Sequence, residues 1–165
     1  MIIVVKNKDT LFIDDFKFRC SIGKKGFCKR KNEGDLKTPK GTFDLGNIYY
    51  RSDRVQKPFS KLKSISIKKN MGWCDDPNSK FYNKLIKIKK RIKIRYEKLF
   101  RKDNKYDLFI LIKYNYKNVI KFKGSAIFLH LTKNYLSTKG CVAMSKKDFL
   151  ILAKLVNKKT KIKIN

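Results

Sequence analysis

Short apolar runs, some alternating with polar residues and some continuous, recur along the chain: Ile2 to Val5, Leu11 to Ile13, Phe16 to Cys20, Leu62 to Ile67, Leu108 to Tyr114 and Ala126 to Leu131. Their length and their Val, Ile, Leu and Phe content predict β-strands. Between the first two, Asn7, Lys8 and Asp9 suit a hairpin turn. Gly23 and Gly26 interrupt the pattern, and Lys31 to Gly46 reads as a long loop carrying Thr38, Pro39, Gly41 and Phe43. A loop on a rigid scaffold often carries function, the plainer alternative being a surface excursion. Ile86 to Lys105 is dense in Lys and Arg and ambiguous in period, with a helical turn around Tyr96 to Arg101; it reads first as a solvated basic excursion, second as a polyanion-docking face.

The clearest helix is Lys146 to Val156, where Phe149, Leu150, Leu152, Ala153, Leu155 and Val156 form a broad apolar stripe. Ser145 precedes it as N-cap, with Asp148 three residues on in a shortened capping box. Thr160 to Ile164 is a last alternating strand. No internal repeat is evident. The pattern predicts a mostly β fold with one strong helix just after Cys141.

Composition bounds the partners. The 165 residues carry no compositional shift that would mark a linker, so residues 1–165 read as a single domain, with 42% hydrophobic residues to build a core. The net charge of +30 attracts polyanions. The excess is spread along the chain and is overwhelmingly Lys, whereas base readout and bidentate phosphate contacts favour Arg. An anionic cell-envelope polymer is therefore at least as good a partner as nucleic acid, and no specific nucleic acid is indicated. An AT-rich genome would also supply such a composition. Met1 to Val5 is too short for the apolar core of a secretory signal, and no segment approaches a membrane span. The chain is expected to be soluble and either unprocessed, a mature fragment, or exported by a route the sequence does not show.

Four cysteines, Cys20, Cys28, Cys74 and Cys141, include no pair at the two-residue spacing of zinc knuckles or redox dithiols, so neither a metal nor another cofactor is expected. With Cys141 reserved for chemistry, the other three form at most one disulfide, and buried free thiols are the plainer reading. His130 is the single histidine and any imidazole mechanism must use it. It closes the run from Gly124 and lies eleven residues before Cys141. A lone histidine after an apolar run is by itself more often structural. Cys141, however, follows Gly140, which lets the backbone bend and a substrate approach, and it precedes the helix N-cap. Lys139 adds a positive charge beside a thiol, a setting that favours the nucleophilic thiolate. A buried structural cysteine is the alternative.

The segments Gly124 to His130 (GSAIFLH), Ser137 to Met144 (STKGCVAM) and Thr38 to Phe43 (TPKGTF) resemble, in that combination, the L,D-transpeptidase (YkuD-like) catalytic domain. GWCDDP, Gly72 to Pro77, with Tyr82 and Asn83 beyond it, is similar to a proteobacterial branch of that family. The resemblance implies a β-sandwich or barrel catalytic domain in which Cys141 attacks an L,D peptide bond of a peptidoglycan stem and His130 acts as base. It also implies backbone oxyanion donors around Lys139, Gly140 and Cys141, a carbonyl at Leu131 that holds the imidazole, and a substrate groove bordered by Trp73, Asp75, Asp76, Tyr82, Ser137 and Thr138. From the residues alone, Asp76-Pro77 is an ordinary turn element and Trp73 an ordinary packing residue.

The chain departs from the family pattern in carrying Lys139 where many members have a second histidine, and Ala143 where they have Arg or Asn. These departures bear on the substrate-carboxylate contacts and spare the nucleophile and base. The resemblance implies a cell-envelope location, while cytosolic action on wall precursors is also compatible. Rival readings are an L,D-carboxypeptidase or peptide amidase with the same nucleophile, and a non-catalytic basic module that binds polyanions.

Overall fold

The structure, a computed structural model, describes residues 1–90 and 93–165. Strand β1 (Ile2–Lys6) turns into β2 (Thr10–Ile13) through Asn7 and Lys8, both in the left-handed region, and β2 turns into β3 (Phe16–Ser21) at Asp14, φ 46°. Asn and Asp tolerate that conformation, which is why these short turns can close the meander. Next come β4 (Phe27–Cys28) and β5 (Thr38–Pro39), a short parallel pair, then β6 (Gly41–Tyr50) and β7 (Ser64–Ser66). They are followed by β8 (Met71–Cys74), β9 (Leu85–Lys87), β10 (Tyr96–Lys98), β11 (Leu108–Ile112), β12 (Phe128–Leu131) and β13 (Val142–Met144). Helix α1 (Lys146–Leu155) and β14 (Lys161–Ile164) complete the order.

The main sheet runs β11-β12-β13-β3-β2-β1-β14-β6-β7, and β11 also pairs with β6, so the sheet closes on itself like a barrel with β7 outside the ring. Closure leaves the ring strands without free edges. Inside lies the larger core, to which Ile3, Val5, Leu11, Ile110, Leu129 and Val142 contribute. Helix α1 buries Phe149, Leu152 and Ala153 against that core, and Ser145 Oγ accepts the Asp148 amide at 3.1 Å as its N-cap.

β11 and β12 are buried on both faces, which accounts for their continuous apolar runs. Leu108, Ile110 and Ile112 point into the barrel; Phe109 and Leu111, with Phe128 of β12, point outward into a second core. A three-stranded antiparallel sheet, β10-β8-β9, covers that outer face and contributes Met71 and Trp73. Its aromatic packing includes Trp73 edge-on to Phe128 at 5.3 Å and Tyr106 edge-on to Phe128 at 5.7 Å. Cys141 belongs to this outer cluster.

The second half of the supposed loop Lys31 to Gly46 is the start of β6, a ten-residue strand between β14 and β11. The glycines that suggested a loop serve close packing instead: a Cβ on Gly46 would stand 2.8 Å from the Leu111 side chain. Tyr96 to Arg101 is not a helical turn, because Tyr96–Lys98 pairs with Gly72–Cys74. Ile86 to Lys105 thus supplies both edge strands of the covering sheet and is not a free excursion, with Arg91 and Ile92 lying outside the described residues.

Candidate active site

Parallel pairing of β12 with β13, Leu129 opposite Val142 and His130 opposite Ala143, sets the geometry. Period-two alternation puts Phe128 and His130 on the outer face of the barrel, and Cys141, just before β13, joins them there. His130 and Cys141 are buried but line the same cleft of about 780 Å³. The Cys141 thiol donates to the Ala126 carbonyl at 3.2 Å and accepts the Phe128 amide at 3.4 Å. Among the described residues no hydrogen bond joins this sulfur to the imidazole, so the thiol rests on Ala126.

His130 Nδ1 lies 2.8 Å from the Leu131 carbonyl. A carbonyl can only accept, so the proton sits on Nδ1 and Nε2 keeps its lone pair. Burial lowers the His130 pKa to about 4, with the nearby Lys105 and Arg101 acting in the same direction against the Leu131 bond. Burial also pushes the Cys141 thiol up to about 12, reinforced by Glu97 and opposed by the Phe128 amide and Lys31. The resting pair is therefore a neutral thiol and a neutral imidazole. That corrects the expectation that neighbouring cations would favour a thiolate: desolvation outweighs them.

The loop before Cys141 is folded by Thr138, whose Oγ1 accepts the Gly140 amide at 3.0 Å and donates to the Cys141 carbonyl at 2.7 Å. Gly140 has φ +142°, and a Cβ there would stand 2.8 Å from the Lys37 carbonyl and 3.3 Å from Lys31 Nζ, so only glycine fits. Lys31 is buried behind it, donating to Asp35 at 2.5 Å and to the Lys37 carbonyl at 2.8 Å. The stem of Lys31 also fills the space where Gly124 lacks a side chain. Thr38 Oγ1 accepts the Gly23 amide, and Gly23 bridges to Thr138, so the TPKGTF segment buttresses the same loop from behind. Of the expected oxyanion donors, the Gly140 amide is already committed to Thr138. The amides of Lys139 and Cys141 have no hydrogen-bond partner among the described residues.

The cleft brings together Leu131, Asp75, Asp76, Ser137, Thr138, Lys139 and Gly140 with the two central residues. Trp73 and Tyr82 are not at its surface. Trp73 is a core residue whose Nε1 donates to Asn83 Oδ1 at 2.9 Å, and Tyr82 is buried with its hydroxyl on Glu33. Asn83 is the hub of the GWCDDP region. Its Oδ1 also accepts the Ala126 amide at 3.0 Å, while its Nδ2 donates to the carbonyls of Tyr114 and Asn115. Asn83 thereby holds Ala126, itself in the left-handed region, with its carbonyl on the Cys141 thiol.

The sequence did not point to Lys31, Glu97, Arg101 or Tyr106, all of which line the cleft. The Tyr106 ring meets the imidazole edge-on at 5.4 Å, and its hydroxyl donates to Glu97 Oε1 at 2.8 Å. Arg101 forks onto Asp103 through Nε and Nη2 at 2.8 and 2.7 Å. Glu97 reaches the cleft through the pairing of β10 with β8, which no local pattern announces. Among the described residues, no helix is long and apolar enough to cross a membrane.

Residues 1–164 match the family described as YkuD, L,D-transpeptidase catalytic domain. No curated protein and no solved structure matches the chain. Members of that family are cysteine-dependent enzymes that act on peptidoglycan and are typically associated with the cell wall. With the match running over nearly the whole sequence, the chain belongs to the L,D-transpeptidase catalytic-domain family.

Proposed function

We propose that this protein is a peptidoglycan L,D-transpeptidase that works through a Cys141 acyl-enzyme on stem peptides, with residues 1–165 acting as one catalytic unit in the cell envelope. The observation that carries the reading is the presence of Cys141 and a base-form His130 on one face of one cleft. Because thiol and imidazole are both neutral at rest, proton transfer accompanies attack. The thiol leaves the Ala126 carbonyl, gives its proton to His130 Nε2, and the sulfur adds to the scissile carbonyl. The amides of Lys139 and Cys141 are the donors for the developing oxyanion. Collapse of the tetrahedral adduct breaks the C–N bond, and the imidazolium returns the proton to the departing D-amino acid.

An amine acceptor then resolves the thioester as a crosslink, or water resolves it as hydrolysis. Both outcomes share this site, so the same residues serve an L,D-carboxypeptidase. Incubating the protein with purified sacculi and analysing muramidase fragments by mass spectrometry separates them. New dimers are expected; shortened monomers alone would assign the hydrolytic activity. Fragments unchanged from those of the Cys141→Ala variant would overturn both readings and leave a basic polyanion-binding module.

A further inference from the structure

We propose that Glu97 is the specificity-determining residue for the second half of the reaction, receiving the cationic amine of the acceptor beside the Cys141 thioester; this rests on the acyl-enzyme reading above. The surroundings are unusual for so basic a chain. Only 13 Asp and Glu oppose 43 Lys and Arg, and four of those acids, Glu33, Asp75, Asp76 and Glu97, line this one cleft. Their charges are not equally available. Arg95 holds Asp75 through its Nε at 3.1 Å, and Glu33 takes the hydroxyls of Tyr82 and Ser125. Glu97 accepts one side-chain hydrogen bond, from Tyr106, and its Oε2 has no hydrogen-bond partner among the described residues.

Among the described residues one cation pairs with it: Arg101 Nη1 stands 3.6 Å from Glu97 Oε1, beyond hydrogen-bond reach, while its Nε and Nη2 fork onto Asp103. Desolvation of the half-buried Glu97 and the neighbouring Asp75 hold its carboxyl above the ordinary range, although Tyr106, Arg101 and Lys139 lower it. Glu97 and Cys141 line the same cleft, and Tyr106, which carries the Glu97 hydrogen bond, meets the imidazole edge-on. An incoming ammonium would meet the unpartnered Oε2 of Glu97 beside the carbonyl it must attack.

The chemistry balances without a further reactant. An amine near neutral pH arrives as an ammonium and loses one proton to solvent before attack. Its nitrogen adds to the thioester carbonyl and the C–S bond breaks. The second nitrogen proton passes through His130 to the departing sulfur, leaving an amide and a free thiol. Water needs no carboxylate partner, so Glu97 biases the thioester towards transfer over hydrolysis.

The test compares wild type with Glu97→Gln, which retains an oxygen to accept the Tyr106 hydroxyl. The acyl-enzyme is formed with disaccharide-tetrapeptide purified from sacculi and partitioned between water and one of two nucleophiles. These are glycinamide, largely cationic near neutral pH, and hydroxylamine, largely neutral there. Glu97→Gln is expected to lower the transfer-to-hydrolysis ratio for glycinamide roughly tenfold or more, while the ratio for hydroxylamine changes less than about twofold. Glu97→Asp should recover part of the glycinamide ratio. A glycinamide ratio that does not move, or one that falls equally with hydroxylamine, overturns the assignment of Glu97 alone. Failure of wild type to form the acyl-enzyme overturns the catalytic reading beneath it, and the assignment with it.

Discussion

Replacing Asn83 by Ala tests how the covering sheet holds Cys141 in place. Asn83 is 2% exposed and stands at φ 56°. Its Oδ1 is the acceptor for two buried donors, Trp73 Nε1–H and the Ala126 amide. Truncation leaves both without a partner, at about 1–3 kcal/mol each. Holding an alanine in the left-handed region adds about 1 kcal/mol. The expected loss is about 3–7 kcal/mol, a large share of the roughly 5–15 kcal/mol that keeps a domain folded. Urea unfolding followed by fluorescence measures it directly, since Trp73 is the chain's single tryptophan and loses its own hydrogen bond in the variant. Asn83→Gly should lose about 1 kcal/mol less than Asn83→Ala, because glycine accepts that φ. A loss under about 1 kcal/mol in Asn83→Ala would refute the hub, because buried orphaned donors cannot be that cheap.

Three further outcomes follow from the site. Gly140→Ala forces a Cβ to 2.8 Å from the Lys37 carbonyl at an unfavourable φ, so it should destabilise the protein by about 2 kcal/mol or more and abolish acylation, measured by urea unfolding and intact mass. His130 is pulled from 6.5 to about 4, so the stability it contributes is complete above pH 6.5 and is lost as pH falls through 4. Between those limits unfolding titrations should show about 3 kcal/mol more loss in wild type than in His130→Gln. With its thiol pushed up to about 12, Cys141 should react with iodoacetamide in the Cys20→Ser, Cys28→Ser, Cys74→Ser background far more slowly at pH 8 than a free cysteine does, accelerating as pH rises; a rate plateau by pH 8 would contradict the neutral resting thiol.

Local signals were legible in the sequence and long-range ones were not. The turn at Asn7 and Lys8 and the Ser145 cap of α1 depend on residues within a few positions of one another, and each reads directly from its own stretch. His130 and Cys141 stand out in the sequence because the chain has one imidazole and because the Gly140-Cys141 pair carries a family pattern. β6 was obscured by Gly41 and Gly46, which look like loop residues but answer to close contacts with Phe43 and Leu111. β10 was misread because its partner, β8, lies more than twenty residues earlier. Trp73 looked like a groove residue and is a core residue: Asn83 satisfies its indole N–H, and Phe128 packs against its ring. Glu97, Tyr106 and Lys31 reach the cleft through sheet pairing and a buried ion pair, neither of which leaves a periodic trace.

The most direct trial of the proposed Cys141–His130 chemistry is the intact mass of the folded protein after incubation with a carbapenem, whose strained lactam opens onto sulfur without losing the acyl fragment. One adduct is expected on wild type, mapped to Cys141 by peptide digestion. It should be absent in Cys141→Ala and form more than about a hundredfold more slowly in His130→Gln. A folded wild type that stays unmodified, or an adduct that forms as fast without the imidazole, would contradict it.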